Sequence, residues 1–349
     1  MRRVALAALL LLAACKSKST EAPEPKAAEP ADDREIVYRS HRAMGTQLTI
    51  TAYTAEPERA VKAMEAAFAE FNRLETLLSV WRPKSDVSRI NHAAGKEAVE
   101  VSPETLEVVE RGLELAEKTD GKFDITFGAL AGLWKFDHDQ DDQIPSDEDI
   151  QARVPLVGYE RVLVDHDQRT VKLADAGMRM HLGGIGKGYA VDRAVRMLRA
   201  AGLEDFMVQA GGDMYCAGKK GDRPWRVGVR DPRQERSEFF AFAEVTDQTF
   251  STSGDYERFF IKDGKRYHHI LDPDLGRPAR GTRSVTVMAD DAMTADVLST
   301  AVFILGADRG LAVVESIDGA GAVVVDEDNA VHVSKRLEGR LKVIRPPTP

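Results

Sequence analysis

Four glycines fall within six positions of the stretch His181-Leu-Gly-Gly-Ile-Gly-Lys-Gly-Tyr-Ala-Val-Asp192, at Gly183, Gly184, Gly186 and Gly188. An apolar run at helical spacing follows, Ala190, Val191, Ala194, Val195 and Leu198, and Gly202 marks its end. A glycine-dense bend that opens into a helix leaves backbone N–H groups unobstructed at the positive end of the helix dipole, which suits a phosphate or pyrophosphate. The same bend also has a purely structural reading, in which small residues let the helix pack closely on a strand. Two familiar phosphate-binding patterns do not fit. A P-loop needs a glycine five places before Gly186 and a Ser or Thr after Lys187, where the chain has His181 and Gly188. The dinucleotide fingerprint needs its third glycine three residues after the second, and the 184, 186, 188 spacing lacks it.

The chain begins with Met1-Arg-Arg and an apolar run from Val4 to Ala14, too short to span a bilayer as a helix, so residues 1–14 read as a secretory signal. Leu12-Ala-Ala-Cys15 closes it in the manner of a bacterial lipobox, which makes Cys15 the expected lipidation site and the first mature residue. Residues 15–34 are mostly Lys, Ser, Glu, Ala, Pro and Asp, a composition that buries no core and reads as a tether. The body is then expected outside the cytoplasm, anchored by lipid and facing the periplasm. Lys16 lacks the aspartate that favours inner-membrane retention in some bacteria, so the choice of membrane stays open. Residues 35–349 fit one large domain or two interlocked lobes. Only Cys216 remains in that body, so no disulfide can form within it. Loss of Arg2 and Arg3 with the signal moves the formal charge of −9 to −11. An acidic surface without a basic tract argues against nucleic acid, and any anionic ligand must be held by amides, a few Lys or Arg residues, or a metal.

Period-two alternation predicts strands over 35–39 and 44–54, and apolar positions 61, 64, 67, 68, 71, 74, 77 and 78 predict a helix over 56–78. Ser85 opens a short helix, and Ser102-Pro103 supplies an N-cap and N1 proline for another, ending near Lys118. Residues 121–126 are expected to be extended and 127–134 helical. The carboxylates between Asp137 and Asp149 lack the glycine and glutamate of a calcium loop and read as solvated loop. Hairpin strands over 161–164 and 170–173 lead into the glycine-rich bend. Strands follow over 205–210, 225–230, 239–245, 249–253, 258–262 and 284–289, then a helix over 294–305, and one helix with short strands from Gly310. Strands outnumber helices and often follow one another directly, which predicts α+β with mostly antiparallel sheet.

Seven motifs, in order, resemble the ApbE-type flavin transferases. They are Met44-Gly-Thr; Ser79-Val-Trp with Ser85-Asp-Val-Ser-Arg-Ile-Asn; Phe123-Asp-Ile-Thr with Leu133-Trp; the glycine-rich stretch; Ala210-Gly-Gly-Asp; Thr252-Ser-Gly-Asp-Tyr with His268-His-Ile-Leu-Asp-Pro; and Ala295-Asp-Val-Leu-Ser-Thr300. The resemblance implies an ApbE-like, T-fold-related body of antiparallel sheets flanked by helices. It also implies a magnesium-dependent enzyme that moves FMN from FAD onto a Thr or Ser hydroxyl of a partner redox protein and releases AMP. FAD hydrolysis to FMN and AMP, and flavin binding without turnover, are the two alternatives.

Pyrophosphate cleavage needs a cation across the phosphate oxygens. Asp296 and Thr300 stand four apart on a predicted helix and so project from one face, although the pair would also serve as a first-turn carboxylate and a back-bonding threonine. The resemblance adds the carbonyl of Gly184 as a third metal ligand and favours His269 over His268 as the base. Adjacent residues at a strand end point opposite ways, so only one of the two histidines can enter the site. Met44 and Trp81 offer soft or flat surfaces to a flavin ring. By resemblance Lys122, Phe123, Asp124, His181, Lys187 and Leu271 line the FAD path; many relatives carry Asp in place of His181, and often Tyr in place of Trp81. Asp213 is expected either to orient the acceptor or the base, or to serve as a turn aspartate.

Overall fold

The computed structural model describes residues 33–349, apart from 137, 138 and 236, so the signal, Cys15 and most of the tether lie outside the described residues. Eight strands form the main sheet: β1 (Glu35–Ala43), β2 (Thr46–Thr54), β3 (Phe206–Ala210), β4 (Asp213–Ala217), β5 (Gln248–Gly254), β6 (Thr282–Ala289), β7 (Gly321–Asp326) and β8 (Val331–Val333). Each lies beside the one before it in the chain, and every pairing is antiparallel. The architecture is α+β. The main helices are α1 (Pro57–Leu78), α2 (Pro103–Lys118), α3 (Gly186–Ala200) and α4 (Ala292–Glu315).

Strand alternation sorts the core into layers. On β4, Tyr215 and Ala217 face the cluster built with α1 and α3, whereas Cys216 faces the opposite side. On β6, Val285 and Val287 meet Leu298, Val302 and Phe303 of α4, and Met288 points to the other face. That second face is covered by a three-stranded sheet, Trp225–Arg230, Phe239–Val245 and Leu341–Val343. Burial there pushes the Cys216 thiol up to about 12, so it remains protonated. By length and composition α4 could cross a membrane, yet its Ala295, Leu298, Val302 and Phe303 are buried in the core of this fold.

The structure departs from the sequence expectations at several points. Met44 does not begin β2. Met44 and Gly45, at φ 51° and 72°, are the two central residues of the β1–β2 turn, the double left-handed geometry that tight hairpins use. Residues 121–126 are not a strand, because local bonds fold them back. Gly121 N–H donates to Ala116 O at 2.9 Å, Lys122 N–H to Thr119 O at 3.1 Å and Thr126 N–H to Asp124 Oδ1 at 2.6 Å. Of the expected helix over 127–134, only the 3-10 turn Gly128–Leu130 forms. The helix expected over 294–305 continues to Glu315 after a break at Gly306, φ 76°. Asp213 opens β4, a strand the periodicity did not announce.

Candidate active site

The polar residues of interest gather where an apolar sheet face ends. Asp213 on β4 and Ser251 on β5 are direct cross-strand partners on the helix-facing side, and Ser251 Oγ donates to Asp213 Oδ1 at 2.5 Å. Ser253, two residues on and hence on the same face, lies 2.8 Å from Ser299 Oγ of α4. Ser299 also sits 3.3 Å from Ser251 and hydrogen-bonds the Asp296 carbonyl at 2.9 Å. This hydroxyl chain joins two strands to the first turns of α4, beneath Asp296.

Helices α3 and α4 meet at Gly188. A Cβ there would lie 2.3 Å from the Ala292 carbonyl oxygen, so only glycine lets the two backbones approach this closely. The contact is locked from both sides. Gly188 N–H donates to Asp296 Oδ2 at 3.1 Å, and Asp192, one turn on, accepts the N–H groups of Ala292 and Met293 at 2.8 and 3.1 Å. Burial pushes the Asp192 carboxyl up to about 7.

Lys187 occupies the junction. Its ammonium lies 3.1 Å from Asp213 Oδ2, 3.3 Å from Asp296 Oδ2 and 3.2 Å from the Gly183 carbonyl. Asp213 and Asp296 are only 2% and 4% exposed, so two enclosed carboxylates share one cation. Burial and the neighbouring Asp213 charge push the Asp296 carboxyl up, while Lys187 and the Gly188 amide pull against them. The two carboxylates keep Lys187 firmly protonated.

The glycine-rich bend spends most of its amides inside the protein. His181 donates to Ile125 O at 2.7 Å, Gly183 to His181 Nδ1 at 3.0 Å, and Ile185 and Gly186 to Leu182 O at 3.3 and 2.8 Å. Of residues 181–188, the N–H groups of Leu182, Gly184 and Lys187 make no hydrogen bond. The bend is thus a packing seam as well as a place with amides left over, and its partner is a helix rather than a strand. A Cβ on Gly184 would stand 3.0 Å from Phe123 and 3.8 Å from Thr300 Oγ1, so this glycine faces the hydroxyl four residues beyond Asp296. A Cβ on Gly186 would meet Leu78 at 3.8 Å and Met44 at 4.0 Å.

Met44, Phe123, Gly184, Lys187, Asp213, Asp296 and Thr300 therefore share one neighbourhood. Lys122, next to Phe123, is pinned by Asp272 at 2.9 Å and Asp274 at 2.7 Å, beside Leu271. Asp124 turns its carboxylate inward, accepting Thr126 N–H and Oγ1 at 2.6 Å and Tyr159 N–H at 2.8 Å. His181 packs on Phe127 with ring centroids 5.1 Å apart. Trp81, three residues past Leu78, is 74% exposed, a large apolar surface turned to solvent.

The paired histidines separate as strand geometry requires. His268 is buried, with Nε2 3.0 Å from Ala279 O and its ring edge-on to Phe303, and burial pushes it down to about 4. His269 anchors its N–H on Arg258 O at 3.1 Å and encloses an Nδ1 that makes no hydrogen bond. Burial first, then Arg258 and His268, push the His269 imidazole down to about 3; Lys187 adds a smaller push in the same direction. His269 is accordingly neutral in this environment, with an Nδ1 that has no partner, and the same burial makes it a weak base until negative charge comes near.

Sequence reasoning gave no role to Asp192 or the serines 251, 253 and 299. Their signal was present: two serines two apart in a strand, and one serine inside an apolar helix. The donor set around Asp296 consists of oxygen: a carboxylate, the Thr300 hydroxyl and the backbone at Gly184. Among the described residues no three His, Cys, Asp or Glu side chains converge on one point. An all-protein calcium cage is therefore missing from them, whereas a hard ion that takes one or two carboxylates and fills its shell with water and phosphate oxygens fits.

This fold and site define a member of a known family. The ApbE family model matches residues 44–324, and the chain belongs to that family. It is 33% identical to the FAD:protein FMN transferase of Vibrio cholerae, over 93% of this chain and 94% of that protein. It is 32% identical to the FAD:protein FMN transferase of Escherichia coli K12, over 89% of each. Among solved structures, the ApbE protein of Thermotoga maritima superposes with a TM-score of 0.79 at 36% identity, covering 88% of this chain and 99% of that one. The flavin transferase ApbE of Vibrio cholerae gives 0.78 at 29% identity, with the same coverage.

Proposed function

We propose that this protein transfers FMN from FAD to a Thr or Ser hydroxyl of a partner protein, with release of AMP. The observation that carries this reading is the junction of α3 and α4, where the Lys187 ammonium, the unpaired N–H groups of Gly184 and Lys187, Asp296 and Thr300 converge, with a neutral His269 near enough to feel the Lys187 charge. Positive groups and amides at a helix start suit the pyrophosphate of FAD. Met44 and Trp81 supply apolar surface for its ring system. Asp296, Thr300 and the Gly184 carbonyl would hold magnesium, which when bound neutralises charge across the phosphate oxygens.

In the transfer step the acceptor hydroxyl oxygen forms a bond to the FMN phosphorus, the bond to the bridging oxygen breaks, and that oxygen leaves with AMP. His269 takes the hydroxyl proton. Burial chiefly holds its pKa down, with smaller pushes from Arg258, His268 and Lys187; an anionic pyrophosphate offsets the cationic part, so substrate binding raises the base toward its working range. Lys187 stays protonated and orients the phosphates. The lipobox further supports an anchor on Cys15 and an extracytoplasmic, membrane-bound location; Cys15→Ser should release the body to the soluble fraction.

Incubating the body with FAD, Mg2+ and a peptide carrying an acceptor threonine tests this. Covalently flavinylated peptide is expected. Free FMN and AMP in its place would mean hydrolysis, and unchanged FAD retained on the protein would mean binding without turnover. Asp296→Ala should abolish transfer, and full activity without that carboxylate would remove the ion assignment.

A further inference from the structure

Three observations at the α3–α4 junction concern how Lys187 is shared between Asp213 and Asp296. Asp213 Oδ1 is fixed by Ser251 at 2.5 Å, while Oδ2 is enclosed and makes no well-aligned hydrogen bond, only the charge contact with Lys187 at 3.1 Å. Lys187 leans equally on both oxygens of Asp296, at 3.4 and 3.3 Å. Asp213 sits on a sheet strand and Asp296 on a helix, so the ammonium bridges two rigid elements and cannot be carried along by either.

An ion coordinated by Asp296 would stand a few Å from this ammonium, and two cations that close in an enclosed site repel strongly. Lys187 can yield without leaving a buried charge unpaired, because Asp213 is already in contact with it. We propose that Lys187 and a divalent ion compete for Asp296, and that Asp213 is the standing counter-ion that receives Lys187 when the divalent ion binds. Asp213 is then a positioning residue that sets metal affinity through Lys187 and is not itself an ion ligand. The inference rests on the ion site proposed above and adds the device that tunes it.

The FAD-free protein is titrated with Mn2+, and the loss of the free-ion EPR signal gives affinity without any turnover. Manganese prefers the same carboxylate, carbonyl and water donors. Removing the ammonium in Lys187→Met should tighten Mn2+ binding about tenfold, since Asp296 then has no competing cation and the nearby Asp213 charge is no longer neutralised. Lys187→Gln, run alongside, should do the same, which separates the lost charge from the apolar methionine. Asp213→Asn leaves Lys187 only Asp296 to pair with and should weaken binding about tenfold. The double variant Lys187→Met/Asp213→Asn removes a cation and its counter-ion together and should return to within about threefold of wild type.

If wild type binds no Mn2+, or Asp296→Asn binds it as tightly as wild type, the ion site falls and the inference falls with it. If Asp296→Asn abolishes binding but the double variant binds as weakly as Asp213→Asn alone, Asp213 is a ligand and only the inference is overturned. It is equally overturned, with the ion site intact, if neither Lys187 variant tightens binding.

Discussion

Gly188→Ala should loosen the protein and disable the site together. An added Cβ would fall 2.3 Å from the Ala292 carbonyl oxygen, 2.7 Å from its carbon and 2.8 Å from Met293 Cα. All three are backbone atoms, so no side chain can swing aside. Reaching ordinary contact requires α3 and α4 to part by about 1 Å between backbones that cannot yield, for which a cost of about 3 kcal/mol, the upper end of the usual overpacking range, is expected. Alanine gains about 1 kcal/mol of helix propensity over glycine, so the sterics win and the net loss is about 2 kcal/mol. For a body of this size that lowers Tm by about 3 °C in a thermal melt. The same displacement stretches the 3.1 Å bond from Gly188 N–H to Asp296 and moves that carboxylate off its position, for which a rate loss of about 100-fold in flavin transfer is expected. Gly186→Ala is the control. Two residues away on the same helix, its Cβ meets Leu78 at 3.8 Å and Met44 at 4.0 Å, ordinary contacts, and stability should hold or rise. Equal stability and turnover in Gly188→Ala would refute the argument that close helix approach seats Asp296.

His269→Ala should slow transfer by about 10²- to 10⁴-fold, the usual range for a lost proton acceptor, with FAD affinity by equilibrium binding nearly unchanged; a large loss of FAD binding would instead make His269 a ligand contact. His268 predicts acid sensitivity. Its folded value of about 4 lies below the ordinary 6.5, so between those pH values the unfolded chain holds the extra proton and stability falls as pH falls. The loss approaches about 3 kcal/mol by pH 4 and is absent above pH 7. Urea melts of wild type and His268→Gln, which keeps a donor for Ala279 O, should diverge by that amount, and parallel loss in both proteins would count against it. Asp192→Asn keeps the shape but not both acceptors for the Ala292 and Met293 amides; a fall in stability of about 1–2 kcal/mol by urea melt is expected.

Much of the fold was legible because long periodic segments announce themselves. The α1 stripe, the Ser102-Pro103 helix start and the strands over 225–230 and 239–245 stand where alternation and caps put them. What escaped was set by bonds that periodicity does not see. Asp124 collapses its own segment by accepting from Thr126 two residues on, where the apolar and β-branched residues Phe123, Ile125 and Thr126 suggested a strand. Strand β4 was hidden because its first residue is a buried aspartate whose acceptability depends on Ser251, a partner 38 residues away.

The glycines illustrate the same limit inside the site. Their density spoke for an anion, and the structure gives three of the four a separate steric duty: Gly183 admits the His181 ring, Gly184 the Phe123 ring and Gly188 the backbone of α4, while Gly186 has room for a Cβ. A cradle and a seam need the same residue for the same reason, the missing Cβ, so composition could not separate them. The hydrogen bonds do separate them. The amides of Gly183 and Gly186 are committed internally, and Gly188 donates to Asp296 rather than to open space. The part of the bend that stays open to an anion is consequently narrow, centred on Gly184 and Lys187. Gly188 serves differently: it lets α3 approach α4 closely enough that a carboxylate on one helix and an ammonium on the other can share a single enclosed position.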